Sequence, residues 1–294
     1  MQERIPDLIT KGRPFVSLEF FPPRDQAARE RMLDVARQLK ALRPMFVSVT
    51  CGAGGGGGSN TLEAATALSA VHGLTVMPHL TCCGLDPERV DSAVAQFQAV
   101  GINNILALRG DGSDATGPTP GAPFLHASDL VERIRRKYRD IALGIAAYPE
   151  PHPESPSVEA DIQMLKLKFD AGADFGVTQL FFDNRRYFDM VERLADKGCT
   201  KPVIPGVMPL RSMASARRIL SLCGAAIPGN FYAALETAHA EGGDAAVQEV
   251  GTQYAARQIT GLLDGGAPGV HLYPLNQSAQ VLEVARRAGL LPEE

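Results

Sequence analysis

Apolar residues recur along this chain in two alternating rhythms. Short runs rich in Val, Ile, Leu, Ala and Phe fall at 15–21, 45–50, 75–81, 104–109, 141–148, 174–181, 202–207 and 269–273. Their length and their Gly, Pro, Asn or Asp boundaries are those of strands. After each run, apolar residues return at three- and four-residue spacing, near 25–42, 60–72, 87–100, 127–139, 157–171, 184–197, 212–222 and 275–289, which is the helical period. Eight strand-then-helix units predict an α/β chain closed into a (β/α)8 barrel of the TIM type. Helical patterns near 230–240 and 244–263 predict extra helices before the last strand. A doubly wound sheet is the alternative, but it would need a Gly-x-Gly-x-x-Gly turn after an early strand, which is not found. No linker or repeat interrupts the pattern, so residues 1–294 are expected to form a single domain.

One position breaks the first apolar run. Within Phe15-Val16-Ser17-Leu18-Glu19-Phe20-Phe21-Pro22-Pro23-Arg24, a single carboxylate sits in a strand pattern. A desolvated carboxylate resists ionisation, so its pKa is expected to rise and leave Glu19 a proton to donate near neutral pH, as a general acid does. The competing reading is a strand-end Glu reaching water or pairing with Arg24. In a barrel the chemistry gathers where strands end at the C-terminal face, so the polar residues closing each run are candidates. They are Glu19, Thr50, His79, Thr81, the Arg109-Gly110-Asp111 triplet, Tyr148, His152 and Gln179.

Composition narrows the partners. The chain has 294 residues, 45% hydrophobic, with net charge -4 and its Lys and Arg dispersed, so neither a nucleic-acid footprint nor a basic membrane face is visible. No apolar run approaches the roughly 20 residues that span a bilayer, and the first residues lack an apolar targeting core, so a cytoplasmic protein is expected. Five cysteines without Cys-x-x-Cys, and six histidines without metal-ligand spacing, predict free thiols and no metal.

Several motifs occur together in order: S-L-E-F-F-P-P-R at 17–24, V-S-V-T-x-G-A-G-G at 47–55, P-H-L-T-C at 78–82, A-L-R-G-D at 107–111, A-A-Y-P-E-x-H at 146–152 and T-Q-L-F-F-D at 178–183. In these, and over nearly its whole length, the chain resembles the bacterial-type methylenetetrahydrofolate reductases. The resemblance implies a flavin-bearing barrel of one-carbon metabolism that reduces 5,10-methylenetetrahydrofolate to 5-methyltetrahydrofolate, with FAD as cofactor. The electron donor it implies is NADH, with NADPH as the alternative, in a ping-pong cycle through flavin N5. It also implies a homodimer or homotetramer.

Carried over by this resemblance, Glu19 is the acid that protonates N10 of the folate, and Asp111 is the carboxylate between flavin and pterin. The implied flavin contacts are Thr50, Cys51, Ala53, His79, Arg109, Gly110, Asp111, Ala127, Tyr148, His152, Asp161 and Lys168. The implied folate contacts are Glu19, Thr50, Asp111, Gln179, Ser215 and Gln277. Asp161 and Lys168 stand seven residues apart in one helical pattern and so share a face. The Gly54-Gly55-Gly56-Gly57-Gly58 run after the second strand pattern is either a mobile loop over the site or a phosphate cradle.

Three departures bear on the folate. Tyr273-Pro274-Leu275-Asn276-Gln277 has Gln277 where the family has an arginine for the anionic glutamyl tail, with Arg211 and Arg217 as candidates to restore the charge. Ser215 stands for a folate-contacting glutamine, and Ile219 for a folate-stacking phenylalanine. Cys51 replaces an aromatic residue beside the flavin. Two other classes remain open on the residues: a folate- or flavin-binding barrel without turnover, and a flavoenzyme subunit that needs a separate electron donor.

Overall fold

In a computed structural model, residues 2–9, 13–51, 58–110 and 121–291 are described, excepting the side chains of 221–223. The chain runs α1 (Ile5–Ile9), β1 (Phe15–Phe20), α2 (Gln26–Leu39), β2 (Phe46–Val49), α3 (Ser59–His72), β3 (Val76–Thr81) and α4 (Pro87–Ala99). It continues through β4 (Asn104–Leu108), α5 (Ala127–Lys137), β5 (Ala142–Ala147), α6 (Val158–Asp170), β6 (Phe175–Thr178) and α7 (Asn184–Asp196). The last part is β7 (Val203–Ile204), β8 (Gly206–Val207), α8 (Met213–Cys223), α9 (Gly229–Asp264), β9 (Gly269–Leu272) and α10 (Ala279–Arg287). Side chains of Asp25, Asp86, Ser157, Asp183 and Ser212 accept hydrogen bonds from the first turns of α2, α4, α6, α7 and α8, satisfying donors that have no partner within the helix.

All strand pairs are parallel, in the order β7-β6-β5-β4-β3-β2-β1-β9-β8. Among the described residues nine strands occupy eight barrel positions because Pro205, with no N–H to donate, divides one strand into β7 and β8. β7 pairs with β6 (Gly176↔Val203) and β8 with β9 (Gly206↔His271), while Pro205 O accepts from His271 N at 2.8 Å. The five residues from Val203 to Val207 thus join the two ends of the sheet, and the expected (β/α)8 barrel closes.

Alternation along the strands separates two apolar layers. Val16, Leu18, Phe20, Val47 and Val49 face outward into the shell packed under the helices. Phe15, Phe46, Met77, Leu106, Phe175 and Ile204 face inward and fill the lower barrel, with Ile5 among them. Ile5 comes from α1, a five-residue helix too short to register as a period; its N–H donates to Asn104 Oδ1 at 2.8 Å, and it closes the barrel floor.

The expected insertion is α9, which bends at Gly242 and Gly243, the latter at φ 63° and ψ -151°, a conformation open to glycine. The helical pattern from 275 begins as a helix only at Ala279, because Leu275 (φ 52°) and Asn276 (φ 54°) are left-handed. Among the described residues no helix is long and apolar enough to cross a membrane.

Candidate active site

The inward parity that places Phe15 and Phe46 on the barrel floor places Ser17, Glu19, Ser48, His79 and His271 above it. Glu19, next to last in β1, exposes 14% of its side chain. Its Oε2 lies 3.4 Å from Ser48 Oγ, which donates to it, 3.4 Å from His79 Nε2 and 3.7 Å from His271 Nε2. His271, 1% exposed, is held from behind: Nδ1 is 2.8 Å from Ser17 Oγ, Nε2 is 3.3 Å from Ser48 Oγ, and its ring stacks on Phe46 at 5.9 Å.

This surround corrects the expectation of a raised Glu19 pKa. Burial does push the carboxyl up, and is the largest single influence, but the His271 imidazole close beside it, the charges of His79 and His271 and the Ser48 hydroxyl together outweigh it, so Glu19 lies below the ordinary carboxylate value. The apolar neighbours of Glu19 in sequence are not its neighbours in space: Leu18 and Phe20 point away into the helical layer, and Phe21 is 42% exposed. His79 is pushed down in turn by burial, with Glu19 opposing and His271 adding to the fall.

A second group gathers around the ends of β2 to β5. Among the described residues, Thr50 Oγ1 is buried with no hydrogen-bond partner, and so is His79 Nε2, since its approach to Glu19 lacks hydrogen-bond geometry. Cys51 Sγ lies 3.6 Å from Thr81 Oγ1. Gly110 has φ 85°, and a side chain there would meet Thr81 Cβ at 2.9 Å, so this close turn requires glycine. Arg109 is gripped on both terminal nitrogens by Glu154, at 2.6 and 2.8 Å. Ala127 opens α5.

Asp161 and Lys168 do share a face of α6, and it turns toward β5 rather than into solvent. Asp161 Oδ2 accepts from His152 N at 2.9 Å. Lys168 Nζ donates to Ala146 O at 2.9 Å and stands 5.5 Å over the Tyr148 ring, which meets His152 edge-on at 4.9 Å. Burial lowers the Lys168 ammonium to about 8, against the opposing charge of Asp161. Two cations, an aromatic face, and a hydroxyl and an imidazole nitrogen without hydrogen-bond partners among the described residues form a donor set that fits a flavin dinucleotide, with Arg109 and Lys168 suited to its phosphates.

The folate candidates divide. Gln179 follows β6, and its Oε1 accepts from Leu180 N at 2.8 Å. Ser215 is engaged by its own helix: Oγ donates to Ser212 O at 2.7 Å and accepts from Ser212 N at 3.1 Å, and Ile219 packs in the core between α8 and α9. Gln277 Oε1 accepts a hydrogen bond from Arg211 Nη1, and both line a recess with Tyr273. Ala53, Asp111 and Gly54 to Gly57 lie outside the described residues. Sequence reasoning missed His271, Ser48 and Glu154. The first two carried a signal, since each is a polar residue at the inward parity of an apolar strand.

Comparison with known proteins agrees with the resemblance. The methylenetetrahydrofolate reductase family model matches residues 4–289. The chain is 32% identical to 5,10-methylenetetrahydrofolate reductase of Escherichia coli (strain K12), covering 96% of this chain and 93% of that protein. It is 34% identical to methylenetetrahydrofolate reductase (NADH) 1 of Arabidopsis thaliana over 99% of its own length, and spans about half (51%) of that longer relative. A solved structure, an uncharacterized protein from Clostridium thermocellum that binds two copies of 5-methyl-5,6,7,8-tetrahydrofolic acid, superposes with TM-score 0.63 at 14% identity, covering 97% of this chain and 96% of that one, a likeness of fold. With a family match across almost the entire barrel and a full-length bacterial relative above 30% identity, this chain belongs to the methylenetetrahydrofolate reductase family.

Proposed function

We propose that the chain reduces 5,10-methylenetetrahydrofolate to 5-methyltetrahydrofolate with NADH or NADPH, using FAD as its bound group and Glu19 as general acid. The observation that carries this reading is the inward Glu19 carboxylate, held at the barrel mouth by Ser48, His79 and His271. The methylene carbon of the substrate bridges two nitrogens and accepts hydride poorly until one C–N bond opens. Glu19 gives its proton to N10 as that bond breaks, leaving a cationic iminium at N5. FAD held at this site would supply hydride chemistry to this carbon and would draw its electrons from the nicotinamide, the basis of the ping-pong order. The described residues proposed to hold it are Thr50, Cys51, His79, Arg109, Gly110, Ala127, Tyr148, His152, Asp161 and Lys168.

In the ligand-free site the surround holds the Glu19 carboxyl below the ordinary carboxylate value, so proton uptake has to precede donation. Ligands covering the mouth exclude water and strengthen burial, the influence that favours the neutral acid. Asp111, by family resemblance, places a negative charge near the cationic iminium, and Gln179 meets folate and nicotinamide in turn. For the anionic tail we assign Arg211 of the two candidates, since its guanidinium reaches Gln277, where the family arginine would stand; the Ser215 hydroxyl, the counterpart of a folate-contacting glutamine, is engaged in its helix cap.

The test is product analysis by mass spectrometry after incubating FAD-loaded protein with NADH and 5,10-methylenetetrahydrofolate. 5-Methyltetrahydrofolate is expected, and Glu19→Gln, which cannot give a proton, should lower its formation by about 10²- to 10⁴-fold. A Gln variant as fast as wild type would remove Glu19 from the mechanism. In the same assay Arg211→Ala should raise the folate KM severalfold with kcat nearly constant, and an unchanged KM would place the tail elsewhere.

A further inference from the structure

Beyond Glu19 the first strand has an unusual anchor. The register between β1 and β9 runs from Phe15↔Gly269 to Leu18↔Leu272, whereas the register with β2 continues through Glu19↔Ser48 to Phe20↔Val49. Toward β9, two residues after Glu19, a side chain takes the place of a strand neighbour. Asn276 Oδ1 accepts from Phe21 N at 3.0 Å, and Asn276 Nδ2 donates to Phe21 O at 3.0 Å. One amide thereby satisfies both backbone groups of Phe21, as a paired strand would.

The turn that delivers this amide is specialised. Leu275 and Asn276 are consecutive left-handed residues at φ 52° and 54°, a conformation that side chains other than Asn and Asp rarely adopt, and Gln277 N closes the turn on Pro274 O at 2.9 Å. Asn tolerates that backbone and offers a donor and an acceptor in one plane. Asp would keep the acceptor and lose the donor; Gly would keep the backbone and lose both. The next residue, Gln277, meets Arg211. A single turn therefore ties the strand end carrying Glu19 to the rim carrying Arg211.

We infer that Asn276 is a positioning residue for the folate step, clamping the tip of β1 so that the Glu19 carboxyl and the Arg211–Gln277 rim stand in fixed relation and one substrate can engage both. This rests on the reductase reading above. Hydride transfer from nicotinamide to flavin calls for no proton from Glu19, so the clamp should matter to one half of the cycle.

The experiment compares wild type, Asn276→Gly and Asn276→Asp in the FAD-loaded protein. Two rates are followed: flavin reduction by NADH, and reoxidation of the reduced protein by 5,10-methylenetetrahydrofolate. Asn276→Gly should slow reoxidation about tenfold to a hundredfold, the scale of a small misplacement of a reacting group, while flavin reduction stays within about twofold. Asn276→Asp should fall between. Melting temperatures taken alongside identify a variant that simply unfolds, and Asn276→Asp then carries the comparison. Reoxidation within about twofold of wild type in Asn276→Gly, or equal losses in both rates, would overturn the inference. A wild type that reduces no methylenetetrahydrofolate removes the reductase reading and this inference with it.

Discussion

The Glu19 carboxyl is held below the ordinary carboxylate value in the free site for a reason written in strand parity. Residues 15, 17 and 19 share the inner face of β1, so the carboxylate meets Ser48, His79 and His271 rather than the phenylalanines beside it in sequence. Its folded pKa is lowered, so the stability it contributes is complete above the ordinary carboxylate value and is lost as pH falls through the lower folded one. Replacing His271 by Phe removes the strongest of the lowering influences. The basic limb of the kcat/KM profile, where Glu19 loses its proton, should then move to higher pH. An unmoved limb would mean that His271 does not set the acid. Sequence alone exposed Glu19 as a polar break in an apolar run, but its ionisation state depends on residues from β2, β3 and β9, up to 252 positions away along the chain. A lone His in Gly-Val-His-Leu-Tyr carries no such message until the barrel closes.

At the scale of elements, the eight strand patterns and their helices were legible because each combines a distinct period with clear punctuation. The departures are local. Pro205 divides one strand, α1 is too short to show a period, and two left-handed residues delay α10 to Ala279. For α6, periodicity placed Asp161 and Lys168 on one face but equally allowed a solvated surface; packing against β5 decides the matter. That packing has a measurable consequence. The Lys168 ammonium is lowered to about 8, and only its charged form can pair with phosphate. FAD affinity, measured by flavin fluorescence quenching in the apoprotein, should be flat below that pH and weaken by up to about tenfold per pH unit above it. In Lys168→Met the affinity should be lower and lose this dependence. A wild-type profile flat to pH 10 would exclude Lys168 from the flavin site.

Taken whole, the barrel divides along its axis into an apolar floor that holds it together and a polar mouth to which the proposed chemistry is assigned. Phe46 joins the two: fully buried, it packs with Phe15 and Phe175 below and stacks under His271. Phe46→Ala should cost about 3–5 kcal/mol in chemical denaturation and loosen the support of His271 as well. A loss below about 1 kcal/mol would contradict the assignment of Phe46 to the structural floor. Family membership follows from similarity across the barrel, whereas the roles of Glu19, Arg109 and Lys168 are proposed from geometry joined to that resemblance, and that of Arg211 from its contact with Gln277.

An anaerobic absorbance trace of FAD-loaded protein, first with NADH and then with 5,10-methylenetetrahydrofolate, follows both halves of the proposed cycle in one sample. A reductase that uses one flavin face in turn should bleach on the first addition and recover its colour on the second, with 5-methyltetrahydrofolate formed in equal amount. Flavin that NADH bleaches but the folate never restores, or that NADH leaves oxidised, would contradict the account.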